Sequence, residues 1–395
     1  MTGDSEPPAG ARRNRVRVAV AAVAVLAIAL VGGVVALGGP SRLSGLFRTS
    51  SAAKPLESSS SASPLPPTLV GPIPAGQPVI LYRRHGDRTQ QLIGASWTGL
   101  LYSGPDAPVG QGADRQSPDG SKILVGLVVY VLATHSQTRL LVDPNAGFTQ
   151  ITWGDDSYHL CVTQETGPAG SSVSISIMDV GSPAVHLATL GKVEQQVKGP
   201  TVLACSPLSD RVVIAQVGGL GETTELWVLN ARTGAIEYHR TYPATTKTNG
   251  NGYLVVASRD GQYLAETATA TATVAIRRLA DDSVVTRLAG EEIHAFSWRG
   301  DLVVVTPREP NLAADNTTFQ SPAITDWQTG QTVWESPQGA RFFGAILSQP
   351  EGDGIALGLN FCAQATTCRE NLWLVNRDGK RGELDHDVQV LWSGF

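Results

Sequence analysis

The sequence predicts an all-β domain built from a repeat of about 40–50 residues, carried behind one apolar N-terminal segment. Three observations predict it. Residues 18–39 contain no charged side chain. Short β-branched runs separated by turn residues fill most of the chain after residue 79. Turn motifs recur 40 to 56 residues apart. Composition points the same way, because 42 Gly and 24 Pro in 395 residues break helix interiors. A charged fraction of 16 % is too low for a coiled coil or a disordered polyampholyte.

The N-terminus is read first. Arg12, Arg13, Arg15 and Arg17 precede the uncharged stretch, which at 1.5 Å per residue reaches about 33 Å, enough to cross a bilayer core. The positive-inside tendency makes residues 1–17 a cytoplasmic basic tail and residues 18–39 a single transmembrane helix in contact with the lipid bilayer. It makes everything beyond extracytoplasmic. A cleaved signal peptide is the rival reading, but its apolar region is usually about 7–15 residues. Residues 40–78 are rich in Ser, Pro and Ala, with Ser58 to Ser61 and Pro64 to Pro67 at the centre. Such a segment buries too little apolar surface to offset its chain entropy, so it reads as a disordered stalk. Residues 79–395 are the extracytoplasmic domain.

Charge excludes one partner class. The net charge is −5, and beyond residue 40 the balance is 26 basic against 33 acidic side chains. No broad basic footprint for nucleic acid exists. The four cysteines, Cys161, Cys205, Cys362 and Cys368, all lie in the exported part, where an even count suggests disulfides. Cys362 and Cys368 flank a polar loop between apolar runs and pair as a hairpin would bring them together; Cys161 with Cys205 follows by elimination. Metal binding is disfavoured, because no CxxC spacing is present.

The repeat joins a strand ending in a small or aromatic residue, a Gly- or Asp-containing turn, and a returning apolar strand. Copies begin near residues 97, 153, 206, 258, 298, 348 and 392. A second mark follows in several units: Leu226 to Gly234 and Leu372 to Gly379 are near-copies, and Ile324 to Gly330 is a looser third. This period is that of a four-stranded β-propeller blade, and residues 79–395 accommodate seven, with six or eight as neighbouring counts. Ser117 to Gly120 falls outside the seven starts, either inside an enlarged first blade or marking an eighth. The chain ends on a repeat start, so Val79 to Tyr82 and Gln91 to Ile93 are expected to supply its missing strands and close the ring. A two-sheet sandwich is the structural alternative.

The Ser-Pro-Asp-Gly at 117–120, the Ser-Arg-Asp-Gly at 258–261 and the strand-Trp-strand units ending in Thr-Gly resemble the TolB-like, WD-repeat-like and quinoprotein-like β-propellers over essentially residues 79–395. Asp326 to Trp334 is similar to the tryptophan-docking repeat of the quinoprotein enzymes, with Asn230 to Tyr238 as a partial copy. In that family the repeat packs blades together, so the resemblance implies fold and no cofactor.

Chemistry is sparse. There is no G-x-S-x-G elbow and no H-E-x-x-H. The seven histidines (85, 135, 159, 186, 239, 294 and 386) stand singly. Asp155-Asp156, Asp281-Asp282 and Glu291-Glu292 are adjacent acids, which a strand points to opposite faces; with Asp385 and Asp387 they read mostly as solvated turns. The polar loop Asn311 to Asn316 lacks the ligand spacing of a calcium loop. No catalytic, cofactor-binding or metal-binding residue is assigned. Recurrent tryptophans read as packing between blades. The expected function is a scaffold for a protein or envelope component, with the polar segments Thr241 to Gly252 and Thr306 to Pro322 as candidate surface. The alternative is an extracytoplasmic enzyme, or a binder of small molecules or carbohydrate, using the central channel.

Overall fold

The computed structural model describes residues 68–84, 91–106, 115–143, 149–167, 172–191, 198–217, 223–243, 253–268, 273–289, 292–306, 322–337, 340–348, 354–364, 367–379 and 381–391. The expected cytoplasmic tail, membrane helix and most of the stalk lie outside them. Among the described residues no helix is long and apolar enough to cross a membrane.

The described strands form seven four-stranded antiparallel sheets, the blades of a β-propeller. Blade 1 joins β1 (Val79–Arg84), β2 (Gln91–Ser96) and β3 (Leu101–Asp106) to the C-terminal β28 (Val388–Val390), in the order β28-β1-β2-β3. Blade 2 is β4 (Arg115–Gln116), β5 (Lys122–Val125), β6 (Val128–Val131) and β7 (Ser136–Arg139). Blade 3 is β8 (Thr149–Trp153), β9 (His159–Thr166), β10 (Ser172–Asp179) and β11 (Val185–Gly191). Blade 4 is β12 (Lys198–Ser206), β13 (Arg211–Val217), β14 (Thr223–Asn230) and β15 (Ile236–Thr241). Blade 5 is β16 (Tyr253–Ala257), β17 (Tyr263–Ala268), β18 (Thr273–Arg278) and β19 (Ser283–Ala289). Blade 6 is β20 (Glu292–Phe296), β21 (Leu302–Thr306), β22 (Ala323–Asp326) and β23 (Gln331–Glu335). Blade 7 is β24 (Ala340–Ser348), β25 (Ile355–Gln364), β26 (Thr367–Val375) and β27 (Arg381–Asp385).

Burial explains why the sequence alternates so little. The second strand of a blade is covered on both faces by its neighbours, so β13 reads RVVIAQV with five buried positions in a row. The outer strand meets water, and β15 reads IEYHRT without a buried residue. The core is accordingly divided into seven apolar clusters, one at each seam between consecutive blades. Cys161, Val173 and Ile175 of blade 3 meet Val212, Ile214 and Leu229 of blade 4 at one of them. A disulfide joins Cys161 to Cys205 across that seam, with 5.9 Å between Cα atoms. Trp97, Trp153, Trp227, Trp327 and Trp334 are all buried in such seams, which is the packing role expected of them.

The ring closes as anticipated, with N- and C-terminal strands sharing one blade. Tyr82, Arg83 and Arg84 pair with Val390, Gln389 and Val388, and the N–H of Leu391 donates to Leu81 O at 2.9 Å. One member of the repeat count is corrected. Ser117 to Gly120 is the turn between the first and second strands of blade 2, whereas Ser96 to Gly99 joins β2 to β3, the outer pair of blade 1. The two look alike because Ser96 shapes its turn as Ser117 does: each serine carbonyl accepts from a glycine N–H, Gly99 at 2.9 Å and Gly120 at 2.8 Å.

A second finding concerns the stalk. Its last described residues lie on the propeller: Val70 N–H donates to Leu101 O at 2.8 Å, Ser103 N–H to Gly71 O at 2.7 Å, and Pro72 bridges Ser103 in parallel. Composition suggested a linker up to residue 78, but Leu69 and Ile73 pack against the two seams that flank blade 1. For Cys362 and Cys368 the backbone register sets the two Cα positions opposite each other on β25 and β26.

The outer turns show which glycines the seams require. Gly234 and Gly330 both sit at positive φ, +72° and +74°, and both donate their N–H back into a tight turn, to Asn230 O and Asp326 O. A Cβ on Gly234 would lie 2.0 Å from Leu187 O of blade 3, whereas one on Gly330 meets nothing within 4 Å. Gly330→Ala is therefore expected to cost only the left-handed backbone penalty of about 1 kcal/mol. Gly234→Ala adds an overpacking cost of about 1–3 kcal/mol. Denaturant unfolding of the two variants checks this, and equal losses would contradict the seam geometry.

Candidate functional site at one end of the channel

In a propeller the first strand of each blade lines the channel, so the turns from first to second strand ring one channel end. Those of blades 2, 5 and 6 are built by side chains near their start. Ser117 Oγ donates to Asp119 Oδ1 at 2.5 Å and accepts Lys122 N–H at 3.0 Å. Ser258 Oγ donates to Asp260 Oδ1 at 2.6 Å and accepts Tyr263 N–H at 2.9 Å. Ser297 Oγ donates to Asp301 Oδ1 at 2.8 Å and accepts Leu302 N–H at 3.0 Å. Local serine and aspartate bonds of this kind replace the ladder where the strand ends.

Blades 3 and 4 depart from the pattern by sharing their turns. Asp155, 7 % exposed, accepts Ser206 Oγ at 2.5 Å and Leu208 N–H at 3.3 Å, while its own N–H donates to Cys205 O at 3.0 Å. Burial raises the Asp155 carboxyl above its ordinary value, opposed by Ser206, Leu208 and Arg259. For Asp156 burial also raises, but the N–H groups of His159 and Tyr158 and the His159 ring outweigh it and hold the carboxyl low. His159 bridges Asp156 to Asp179, whose Oδ1 is 2.9 Å away. Between blades 2 and 3, Ser157 Oγ accepts Asp119 N–H at 3.0 Å, and Lys122 Nζ donates to Ser157 O at 3.0 Å.

Arg259 crosses this end of the ring. It starts in the turn of blade 5, stacks its guanidinium over the Trp298 ring of blade 6 at 3.0 Å from the centroid, and donates to Gly154 O of blade 3 at 3.5 Å. Only 7 % of it is exposed. Burial pulls its pKa well down, and the carboxylates of Asp155 and Asp156 oppose that pull. Beside this cluster two apolar side chains on adjacent turns face water, Tyr158 (54 % exposed) and Leu208 (72 %).

The polar groups at this end are thus committed to shaping turns and joining blades. What stands out from this rigid base is one aromatic and one aliphatic side chain, Tyr158 and Leu208.

The sequence-flagged residues distribute widely. Asp155 and Asp156 have different partners, and Asp155, buried against Ser206 and Leu208 of blade 4, departs from the solvated-turn reading. Asp281 binds Ser283, and Asp282 accepts the Tyr238 hydroxyl at 2.7 Å. Asp385 departs from the solvated-turn reading: it is 2 % exposed and accepts Tyr82 Oη at 2.8 Å and Arg84 Nε at 2.7 Å. His85, Glu291, the loop Asn311 to Asn316 and most of the segments Thr241 to Gly252 and Thr306 to Pro322 lie outside the described residues. Among the described residues no cluster of His, Cys, Asp or Glu fit for a metal occurs. Sequence reading missed Arg259, Trp298, Tyr158 and Leu208. A signal existed, since the residue after the turn serine is proline at 118 and 207 but Arg259 and Trp298 in the next two blades.

No family model and no curated protein matches this chain. Among solved structures it is similar to a putative 6-phosphogluconolactonase from Bacteroides fragilis, at 12 % identity over 81 % of this chain and 98 % of that one, with a TM-score of 0.47. It is similar to an oligogalacturonate lyase from Vibrio parahaemolyticus, at 11 % identity over 71 % and 87 %, with a TM-score of 0.45. It is also similar to BamB from Moraxella catarrhalis, at 15 % identity over 76 % and 87 %, with a TM-score of 0.37.

One histidine on a channel-lining strand gives a pH signature. His294 on β20 bonds Thr306 Oγ1 at 2.6 Å, and burial lowers its pKa from 6.5 to about 4. The unfolded chain therefore binds this proton first, so its contribution to stability is complete above about pH 6.5 and is lost as pH falls toward about 4. Unfolding titrations should show His294→Gln flattening the pH dependence in that window; an unchanged slope would refute the assignment. The described residues themselves form a seven-bladed β-propeller.

Proposed function

We propose that this protein is a single-pass, membrane-anchored propeller whose extracytoplasmic ring is a binding scaffold for another protein or an envelope component. The observation that carries the scaffold reading is the channel end, where Arg259 and Trp298 span the ring and Tyr158 and Leu208 stand out from it. A contact face of this kind needs rigid exposed anchors, and the shared Asp155 bonds hold both turns. Anchoring rests on the four arginines before residues 18–39, and an oxidising location fits the Cys161–Cys205 bond. The Cys362–Cys368 disulfide remains part of the proposal; directly opposed Cα atoms in an antiparallel pair are about 4.5–5.5 Å apart, within disulfide reach.

The reading is tested by crosslinking capture from the source envelope with the full chain, alongside Tyr158→Ala and Leu208→Asp. The expected result is a saturable protein partner whose capture drops about tenfold or more in each variant. Capture that survives both but is lost when residues 307–321 are replaced moves the contact to that segment. A small molecule co-purifying in place of a protein would overturn the scaffold reading.

A further inference from the structure

Blade 1 differs from the others in how its outer edge is covered. The outer strands of blades 2, 3 and 4 read SQTR, VHLATLG and IEYHRT and hold one buried residue among them, Leu190. β3 reads LYSGPD, uncharged until its last residue, with Leu101 4 % and Tyr102 8 % exposed. Residues 68–73 explain this. They run parallel to β3 as an added strand, through the Val70, Ser103 and Ile73 hydrogen bonds at 2.8, 2.7 and 3.2 Å. Beyond that reach Pro105 removes the next edge donor.

The strap also holds both flanks of the closing blade. Leu69 packs into the cluster that joins blade 7 to blade 1, and Ile73 into the one that joins blade 1 to blade 2. Ile73 lies directly on Gly94 of β2, where an added Cβ would stand 2.8 Å from its Cδ1. The closure it flanks is slight: β28 meets β1 through three register pairs and has no turn joining it to that strand. Beneath the second half of the strap, between Pro72 to Gln77 and the turns of blade 2, is a cavity of about 410 Å³ that Ser121, Leu132 and His135 also line.

We propose that residues 68–77 are a closure clamp: the β1–β28 pairing opens only when this strap leaves β3, so a pull on the segment entering it, or a molecule wedged into the cavity beneath it, controls opening of the ring. The geometry gives the clamp its leverage. Withdrawing one short strand uncovers the β3 edge and removes an apolar side chain from each of the two seams beside the closure. The remaining seams keep their contacts. The inference stands on the described propeller and is independent of anchoring and of the partner proposed above.

Hydrogen exchange of the full chain, read strand by strand, tests it. In Ile73→Ser, exchange in 79–84 and 388–391 is expected to accelerate about tenfold or more, while 212–217 and 263–268 keep their wild-type rates. Val70→Ser, altering a side chain that is 59 % exposed, should leave all four segments unchanged. A Pro72→Cys/Ser103→Cys pair, oxidised across the bridge, should slow exchange in 79–84 and 388–391 severalfold below wild type, and it decides the matter should Ile73→Ser fail to fold. Unchanged exchange in both variants, or acceleration shared equally by all blades, would overturn the clamp.

Discussion

Every blade of this protein is apolar on both faces, and only another blade can cover a face. That constraint dictates the rest. A linear stack would leave two terminal sheets exposed, so the stack must curve until the last blade meets the first, and seven seam clusters record that it does. The closure falls to β28, three residues paired with β1 without a connecting turn. Elsewhere the first two strands of a blade are joined by a covalent hairpin. At the seam of blades 3 and 4 a covalent bond is added, because Cys161 and Cys205 are 44 residues apart in sequence and fully buried. Closing a loop of that length is worth about 4 kcal/mol by the chain-entropy argument.

Buried charge follows the same seams. Tyr82 and Arg84 of blade 1 meet Asp385 of blade 7, and Glu266 of blade 5 accepts from Arg277 of its own blade and Tyr242 of the segment before it, with Arg240 of blade 4 at 3.5 Å. Such groups are costly to desolvate and costlier to leave unpaired. At these two seams each buried carboxylate is therefore satisfied by side chains from a neighbouring blade or the segment leading into it. At the channel end the same logic operates through turns. Asp155 is shaped by blade 3 but satisfied by blade 4, so the exposed Tyr158 and Leu208 inherit a fixed spacing from a buried bond.

The architecture was legible because period and turn chemistry survive in the sequence. Trp-centred strands, Asp-Gly turns and a terminal unit lacking its partners were enough for a seven-bladed ring closed by shared strands. Local chemistry misled at one point. Ser96 and Ser117 build nearly the same turn, and turns of the inner and outer strand pairs lie at the same end of a blade, so a motif cannot report which pair it joins. The strap was hidden for a related reason. Pro72, Pro74 and Gly76 look like linker, and what docks them is two apolar side chains and the bare edge of β3, a tertiary match that composition does not carry. Arg259 is not legible in the sequence, because its burial depends on Trp298 and Gly154 arriving from other blades. The burial of Asp385 is equally invisible in the sequence, since its partners Tyr82 and Arg84 come from the opposite end of the chain.

The central claim is that the ring depends on closure by the C-terminal strand, and removing that strand tests it most directly. Ending the chain after Asp387 deletes β28 and leaves the other six blades and their turns intact. Thermal unfolding followed by light scattering and a dye that reports exposed apolar surface would be compared with the full chain. Loss of a single cooperative transition, with dye binding and self-association through the uncovered faces, is the predicted result. A truncated chain that stays monomeric and unfolds cooperatively at the same temperature would contradict the account.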